Sequence, residues 1–187
     1  MKKFIGMAAV AMSALLTACG GGGGSPGSTD LSYSINVHAA KTQLPINIAN
    51  QPASIGAYAS FTTTVYVEAR EGGAPIPGGE DIFACAIVQG LDSGALYYLD
   101  GDSEHEDDDG NPLAYRSVTL GANSGSASFH LHAGTKAGTV RITCSVTNPV
   151  DKQISSASVD ITVGASTGKP ASVSGTVQAS YYLGLSD

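Results

Sequence analysis

Apolar residues recur at every second position through much of the chain, and this alternation is its strongest structural signal. Successive side chains of an extended strand point to opposite faces of a sheet, so a period of two marks a strand with one buried and one solvated face. The alternation predicts strands at 31–39, 61–70, 127–132, 140–147 and 157–163. A further segment, 82–88, is apolar on both faces, which predicts a strand in the middle of its sheet.

Turn-forming residues are concentrated between the predicted strands, at 71–73, 75–79, 122–125, 133–134 and 147–149. Gly and Asn tolerate positive φ angles and Pro fixes φ for a turn, so these clusters mark changes of chain direction. No segment shows a convincing helical period. We therefore expect an all-β fold, an antiparallel β-sandwich of about seven short strands.

The composition narrows the functional classes. The 187 residues include 16 acidic and 9 basic side chains, which gives a net charge of −7. A nucleic-acid-binding protein needs clustered positive charge to neutralise phosphates, so we expect no nucleic-acid partner. The apolar fraction of 42% is too high for a disordered chain, and the length suits one domain with a tail.

The N-terminal segment has the composition of an export signal. Lys2 and Lys3 precede a short apolar run, and residues 16–19 read Leu-Thr-Ala-Cys. The apolar run is shorter than the roughly 20 residues of a membrane span, whereas a charged start and small residues at the end are typical of a signal peptide. The ending resembles the lipobox of bacterial lipoproteins, whose cysteine becomes the lipidated first residue of the mature chain.

That resemblance implies a cleaved signal peptide at 1–18 and a membrane partner through acyl chains on Cys19, of which stable anchoring requires more than one. Residues 19–30 are then the lipidated cysteine and a Gly-rich linker with a reach of roughly 20 Å. By the sorting pattern of lipoproteins, Gly20 indicates the bacterial outer membrane, and the choice between its cell-surface and periplasmic faces stays open. The alternative is an ordinary signal peptide with an incidental cysteine.

Three stretches, 35–45, 61–77 and 123–146, and the closing strand 156–163 resemble bacterial Ig-like domains of the invasin/intimin type. The resemblance implies an Ig-like sandwich at 31–164, with a kink in its first strand and a late hairpin within 123–146. Such domains commonly occur in tandem as stalks and spacers of surface proteins. Residues 165–187 are then a linker and a partial strand, because 169–173 (KPASV) echoes 51–55 (QPASI).

Two cysteines remain if Cys19 carries lipid. Cys85 shares a strand face with Phe83 and Ile87, and Cys144 lies on the inward face of its own strand. In the strand order of the Ig-like family these two strands are neighbours in one sheet, and an exported protein reaches a compartment where disulfides persist. We therefore predict a Cys85–Cys144 disulfide, with two buried thiols or a metal-binding pair as the alternatives.

Residues 100–111 form an acidic loop with seven carboxylates and no Lys or Arg. Carboxylates this close repel one another, so they either stay solvated or are neutralised by a cation. Ca²⁺ takes about six to eight oxygen ligands, and the candidate ligands are Asp100, Asp102, Glu104, Asp107 and Asp109. The EF-hand pattern fails, because His105 stands where it needs Gly and Asn111 where it needs Glu. A weak Ca²⁺ site and a solvated, mobile loop both stay open.

His130 and His132 lie two residues apart in a predicted strand, so both point to the same, outward face. We expect an exposed polar face here and at His38. A Zn²⁺ site is the alternative, and it would need further ligands that the sequence does not place nearby. The one Gly-x-Ser-x-Gly match, at 23–27, falls in the Gly-rich linker and not at a strand-to-helix turn, and the sequence has no Gly-x₄-Gly-Lys-Ser/Thr phosphate-binding loop, Cys-x-x-Cys or His-Glu-x-x-His motif. We therefore expect no enzymatic activity and no cofactor apart from the Ca²⁺ considered above.

These observations favour a lipid-anchored outer-membrane protein whose Ig-like module serves binding, adhesion or spacing at the cell envelope. The expected partners, besides the membrane, are a protein or glycan ligand contacted by loops at one end of the sandwich, including 90–112. Two alternatives stay open. One is a metal-dependent accessory protein or enzyme that uses the acidic loop, and the other is a structural stalk fragment without a ligand.

Overall fold

The computed structural model describes residues 31–56 and 59–164, and over these residues the chain forms ten strands and one short 3₁₀ turn. The strands are β1 (Tyr33–Ala39), β2 (Gln43–Leu44), β3 (Thr62–Glu71), β4 (Ala74–Pro75), β5 (Gly79–Gln89), β6 (Gly94–Tyr97), β7 (Ser117–Ala122), β8 (Ser126–Ala133), β9 (Gly138–Thr147) and β10 (Ile154–Val163), and the 3₁₀ turn is Ser103–His105. The predicted signal peptide (1–18), the segment with Cys19 and the linker (19–30), and the tail (165–187) lie outside the described residues.

The strands form two sheets that pack face to face. The first sheet has the order β1-β3-β8-β6 with β4 beside β3, and the second has the order β2-β10-β9-β5-β7. All neighbours are antiparallel except β2 and β10. These orders correspond to the A-B-E-D and G-F-C sheets of the immunoglobulin arrangement, with β2 and β7 added at the edges of the second sheet. The prediction of an all-β, Ig-like sandwich is confirmed.

The chain changes sheets shortly after its first strand. β1 pairs with β3 in the first sheet, and β2 pairs with β10 in the second. This is the kink predicted in the first strand. The late hairpin predicted within 123–146 is wrong, because β8 and β9 belong to different sheets and the connection at 134–137 crosses between them. β9 instead forms its hairpin with β10.

The hydrophobic core lies between the inward faces of the two sheets. Alternate residues of β3, β8, β9 and β10 face the core at the positions that the period of two predicted, and in β10 they are buried at Ile161 and Val163 and half-buried at Ala157 and Val159. The largest fully buried apolar side chains are Phe83, Phe129, Leu96, Leu131, Ile142 and Ile161. β5 is an interior strand as predicted, paired with β9 and β7. Its outward apolar residues nevertheless meet solvent, since Val88 is 57% exposed.

The polypeptide enters and leaves the sandwich at opposite ends. Ser155 Oγ donates to Tyr33 O at 2.7 Å, so β1 and β10 begin side by side. At the other end Gly164 N donates to Leu44 O at 3.0 Å, just after β10 finishes. The ten residues of β10 span roughly 30 Å. We call the end that carries Leu31 the N-terminal end and the end that carries Gly164 the far end. Over the described residues, no helix is long and apolar enough to cross a membrane.

We expect Phe129→Ala to reduce the free energy of unfolding by about 3–5 kcal/mol, because Phe129 is fully buried between the sheets and its removal leaves a cavity. Urea denaturation followed by intrinsic tyrosine fluorescence measures the change. Val88→Ala is the matched control, because Val88 lies on an exposed sheet face and its substitution should change stability by less than about 0.5 kcal/mol. Equal effects of the two substitutions would contradict the core described here.

Candidate functional site

The predicted disulfide joins two neighbouring strands of the second sheet. Cys85 of β5 and Cys144 of β9 are direct partners in the antiparallel ladder, with their Cα atoms 4.0 Å apart. Both side chains are buried, at 1% and 0% exposure, and both face the core. The prediction of a Cys85–Cys144 bridge is confirmed, and the bridge is structural rather than part of an open site.

The acidic loop is folded by its own carboxylates. Asp100 accepts a hydrogen bond from the backbone N–H of Asp102 and contacts His105 Nδ1 at 2.9 Å. Asp102 in turn accepts from the backbone N–H of Glu104 and caps the 3₁₀ turn. The His105 ring stacks on Tyr98 with ring centroids 3.7 Å apart. Burial opposes ionisation of Asp100, but the hydrogen bonds from Asp102 and His105 outweigh it and lower the pKa of this carboxyl.

In the second half of the acidic loop, Asp107 accepts the hydrogen bonds that fold the turn. Its Oδ1 accepts from the backbone N–H groups of Asn111 and Asp109, at 2.8 and 3.0 Å. The hydrogen bonds from Asn111 and Asp109 lower the pKa of the Asp107 carboxyl. The five candidate Ca²⁺ ligands are thus divided between two local turns. Over the described residues, no group of three or more His, Cys, Asp or Glu side chains is placed to hold a metal ion. Calcium binding stays a prediction.

The histidines of β8 differ from the expected exposed face. His130 and His132 do share the outward face of the strand, but His132 is only 7% exposed and His130 is half-buried. The segment between β2 and β3 lies over this end of the first sheet. Tyr97 of β6 packs against His132, with the two ring centroids 5.8 Å apart. The expectation of exposure is therefore wrong for His132. It holds for His38, which is exposed and stacks on Tyr66.

His132 is the centre of a buried hydrogen-bond network. Its Nδ1 lies 2.9 Å from Thr62 Oγ1, and its Nε2 lies 3.0 Å from Asn47 Nδ2 and 2.9 Å from Gln51 O. Asn47 is 2% exposed, and its Oδ1 accepts from Gln51 N at 2.8 Å while its Nδ2 donates to Gln51 O. Asn47 N also donates to Gly134 O, in the connection between β8 and β9. The network therefore ties two far-end loops to the outer face of the first sheet.

The network can hold a neutral imidazole in either tautomer. With its proton on Nδ1 the ring donates to Thr62 and accepts at Nε2 from the Asn47 amide. With its proton on Nε2 the ring donates to the Gln51 carbonyl and accepts at Nδ1 from the Thr62 hydroxyl. Burial lowers the pKa of His132, against the opposing effect of the Gln51 carbonyl. Burial also lowers the pKa of His130, whose Nδ1 lies 3.0 Å from Tyr98 O.

A cleft of about 600 Å³ opens at the far end of the sandwich beside this network. Its volume lies within the range of roughly 300–1,000 Å³ that is typical of small-molecule sites. Segment 47–53 forms one wall, and the connections that follow β5 and β8 form the others. The polar and aromatic side chains that line it include Asn47, Gln51, Tyr97, Arg116, His132 and Lys136. We refer to it as the far-end cleft.

Glycines allow the loops of the far-end cleft to approach one another closely. At Gly138 a Cβ atom would lie 2.3 Å from Ser93 Oγ, and at Gly94 it would lie 2.9 Å from the carbonyl oxygen of His132. Gly134 N donates to Ser93 O at 2.8 Å. The cleft is therefore bounded by tightly packed backbone, and the structure presents it ready-formed.

Two basic side chains are placed at the mouth of the cleft. Lys136 Nζ lies 3.0 Å from Asp92 Oδ2, and Arg116 donates to the Leu91 carbonyl. The hydrogen bond and charge of Lys136 lower the pKa of Asp92, so this carboxyl stays ionised. Burial raises the pKa of the Tyr97 phenol, which therefore stays neutral. The cleft thus combines a neutral aromatic and amide wall with a cationic rim.

Sequence reasoning did not identify this cleft. It expected ligand contacts in loops at one end of the sandwich, including 90–112, and several lining residues do lie in that segment. However, Asn47 and His132 are 85 positions apart and only the fold brings them together. One sequence feature points to the cleft: basic residues are scarce in this acidic chain, and Arg116 and Lys136 are two of them.

Comparison with known proteins gives only weak structural similarity. The sequence matches no protein-family model and no curated protein. Among solved structures, the D00-D0 domain of intimin aligns with 75% of this chain at 14% identity and a TM-score of 0.36. A solution structure of a conjugate transposon protein from Bacteroides vulgatus aligns with 77% of this chain at 12% identity, also with a TM-score of 0.36. This chain spans half of the intimin structure and 92% of the transposon protein structure.

We expect the double variant Cys85→Ala/Cys144→Ala to lose about 4 kcal/mol of stability, because the bridge closes a loop of 59 residues that is constrained even in the unfolded chain. Denaturant unfolding of the oxidised wild type and the variant measures the difference. A reducing agent should destabilise the wild type by a similar amount and leave the double variant unchanged. A variant as stable as the oxidised protein would contradict this role of the bridge.

We expect the stability of the protein to fall as the pH decreases from about 6.5, because burial disfavours the protonated form of His132 in the folded protein, whereas the unfolded chain binds the proton freely. Above pH 6.5 His132 is neutral in both the folded and the unfolded chain, and its full contribution to stability is present. As the pH falls from 6.5 to the pKa of the folded state, stability is lost at no more than about 1.4 kcal/mol per pH unit. Melting temperatures between pH 7.5 and 5 measure the slope. His132→Gln should reduce the slope. The slope that remains in His132→Gln should come from His130. Equal slopes in wild type and His132→Gln would exclude His132 as the origin.

Proposed function

We propose that the protein is an exported, lipid-anchored Ig-like module of the bacterial outer membrane that holds a binding surface away from the lipid and catalyses no reaction. The observation that carries the proposal is the position of the two chain ends. The segment that would hold the anchor and linker leads into Leu31 at the N-terminal end, and the cleft and its loops lie at the far end.

The dimensions suit such an arrangement. The linker has a reach of roughly 20 Å and the sandwich a length of roughly 30 Å. A module anchored at Cys19 would therefore carry the far-end cleft about 50 Å from the membrane surface. The chain enters the sandwich at one end and leaves it at Gly164, at the other end. A module with this geometry can act as a spacer between the segments before and after it.

The disulfide supports export independently of the N-terminal pattern. Disulfides such as Cys85–Cys144 persist in oxidising compartments and are rare in the cytosol. The alternative of a metal-dependent accessory protein or enzyme has less support, because Asp100 and Asp107 bind local donors in two separate turns and no group of three or more potential ligands converges over the described residues. The alternative of a ligand-free stalk has less support than binding, because several polar and charged side chains converge on the far-end cleft.

We expect Cys19→Ala to abolish lipid attachment and to release the full chain from the membrane pellet, because Cys19 supplies the thiol and the new amino terminus for acylation. Cells grown with an alkyne-tagged fatty acid provide the measurement, through labelling of the protein on a gel. Cys144→Ala is the matched control, since it removes a cysteine of the sandwich and should retain the label. Loss of the label in both variants, or in neither, would contradict the assignment.

Protease treatment of intact and lysed cells then assigns the membrane face. Digestion of the domain in intact cells would place it at the cell surface and direct the search to external ligands. Protection in intact cells together with digestion in lysate would place it in the periplasm, and the binding partner would then be a component of the envelope itself.

A further inference from the structure

We propose that the far-end cleft binds a sugar residue that carries a carboxylate, such as a uronic acid or a sialic acid. The inference rests on the proposed function insofar as the anchored module must present this cleft away from the membrane. The argument itself concerns the shape, charge and hydrogen-bonding groups of the cleft.

The first argument is the local sign of charge. Residues 31–56 and 59–164 contain fourteen acidic and six basic side chains. Two of those six, Arg116 and Lys136, line the far-end cleft, whereas Asp92 is the one acidic side chain among its lining residues. The lining side chains therefore carry a formal net charge of +1 (two basic, one acidic), against −8 for the described residues together (six basic, fourteen acidic), so the cleft is the more favourable place for an anionic group. Steering by such a local field is strongest at low ionic strength.

The second argument is the availability of donors at Arg116. Its guanidinium donates to the Leu91 carbonyl, and this bond holds it at the rim of the cleft. A guanidinium has about five N–H donors in a planar fork, so donors remain for a two-point contact with a carboxylate. Lys136 adds a second cation, which forms an exposed ion pair with Asp92.

The third argument is the chemistry of the walls. Asn50 and Gln51 place amide groups along the cleft, and amides both donate to and accept from hydroxyl groups. Asn111 also lines the cleft, but its side-chain nitrogen donates to Asp107. Tyr97 adds a half-buried aromatic ring, held by the edge of the His132 ring. A sugar offers hydroxyls for the amides and an apolar C–H face for the ring. A cleft with this mixture fits a carboxylated sugar better than a purely apolar ligand.

The cleft is less suited to a peptide ligand than to a sugar. An extended peptide is recognised mainly through a free strand edge, which supplies backbone hydrogen bonds. The open edge of β6 is already engaged, because Leu96 and Tyr115 exchange two backbone hydrogen bonds of 2.9 and 2.8 Å. The preformed polar pocket remains available, and it suits a compact ring rather than an extended chain.

The full chain, purified in mild detergent, can be titrated calorimetrically with two carboxylated probes, an oligosaccharide of glucuronate and a sialylated trisaccharide. Matched neutral probes are an oligosaccharide of glucose and the trisaccharide without sialic acid. We expect one carboxylated probe to bind at least tenfold more tightly than its neutral counterpart, and more weakly as salt is raised. The arm that binds distinguishes a uronate polymer from a sialylated glycan as the source.

Charge variants give opposite predictions around the same cleft. Arg116→Gln and Lys136→Gln should each weaken binding at least fivefold, whereas Asp92→Asn should strengthen it, because it removes the negative charge from the rim. Arg141→Gln is the control, since Arg141 pairs with Asp160 on the exposed face of the second sheet and should leave binding unchanged. Melting temperatures of all four variants verify that each is folded.

Three results would overturn the inference. They are no binding of either carboxylated probe at millimolar concentration, equal binding of charged and neutral sugars, and stronger binding of an acidic peptide of the same charge. None of these results depends on acylation of Cys19. A lipidated chain without sugar binding would therefore remove this inference and leave the proposed function standing.

Discussion

The packing of the two sheets depends on keeping alternate residues of every strand on the inner face. A shift of one residue in the register would turn the whole inward set of a strand towards solvent. In the second sheet this register is fixed covalently between β5 and β9, because Cys85 and Cys144 are direct ladder partners and are bridged. Phe83 and Ile142 lie on the inner faces of these two strands, so the bridge holds the central part of the core in one alignment.

The same alternation explains how much of the fold could be predicted from the sequence. A period of two reports which residues of a strand are buried, and it located β1, β3, β8, β9 and β10. It does not report which strands pair, and the hairpin within 123–146 that the family resemblance implies is wrong, because β8 and β9 belong to different sheets. It also failed for β6, where four residues are too few to show a period.

The candidate site was less predictable because burial by other segments leaves no local signal. His130 and His132 have the alternation of an exposed face, and their strand does turn that face outward. The segment after β2 then covers it through Asn47 and Gln51, which no pattern around the histidines could indicate. Similarly, the carboxylates of the acidic loop suggested a shared cation, whereas the structure satisfies Asp100 and Asp107 with separate local donors.

The burial of His132 gives the far-end cleft its fixed form. Asn47 can donate to a neutral imidazole, accept from Gln51 N and bind Gly134 O through its backbone at the same time, so one network orients two loops against the first sheet. Both loops contribute lining residues to the cleft. A ligand that meets a preformed site loses less conformational entropy on binding than one that must order the loops. The polar residues of this network, which the sequence pattern predicts to be exposed to water, therefore hold the loops of the far-end cleft in place.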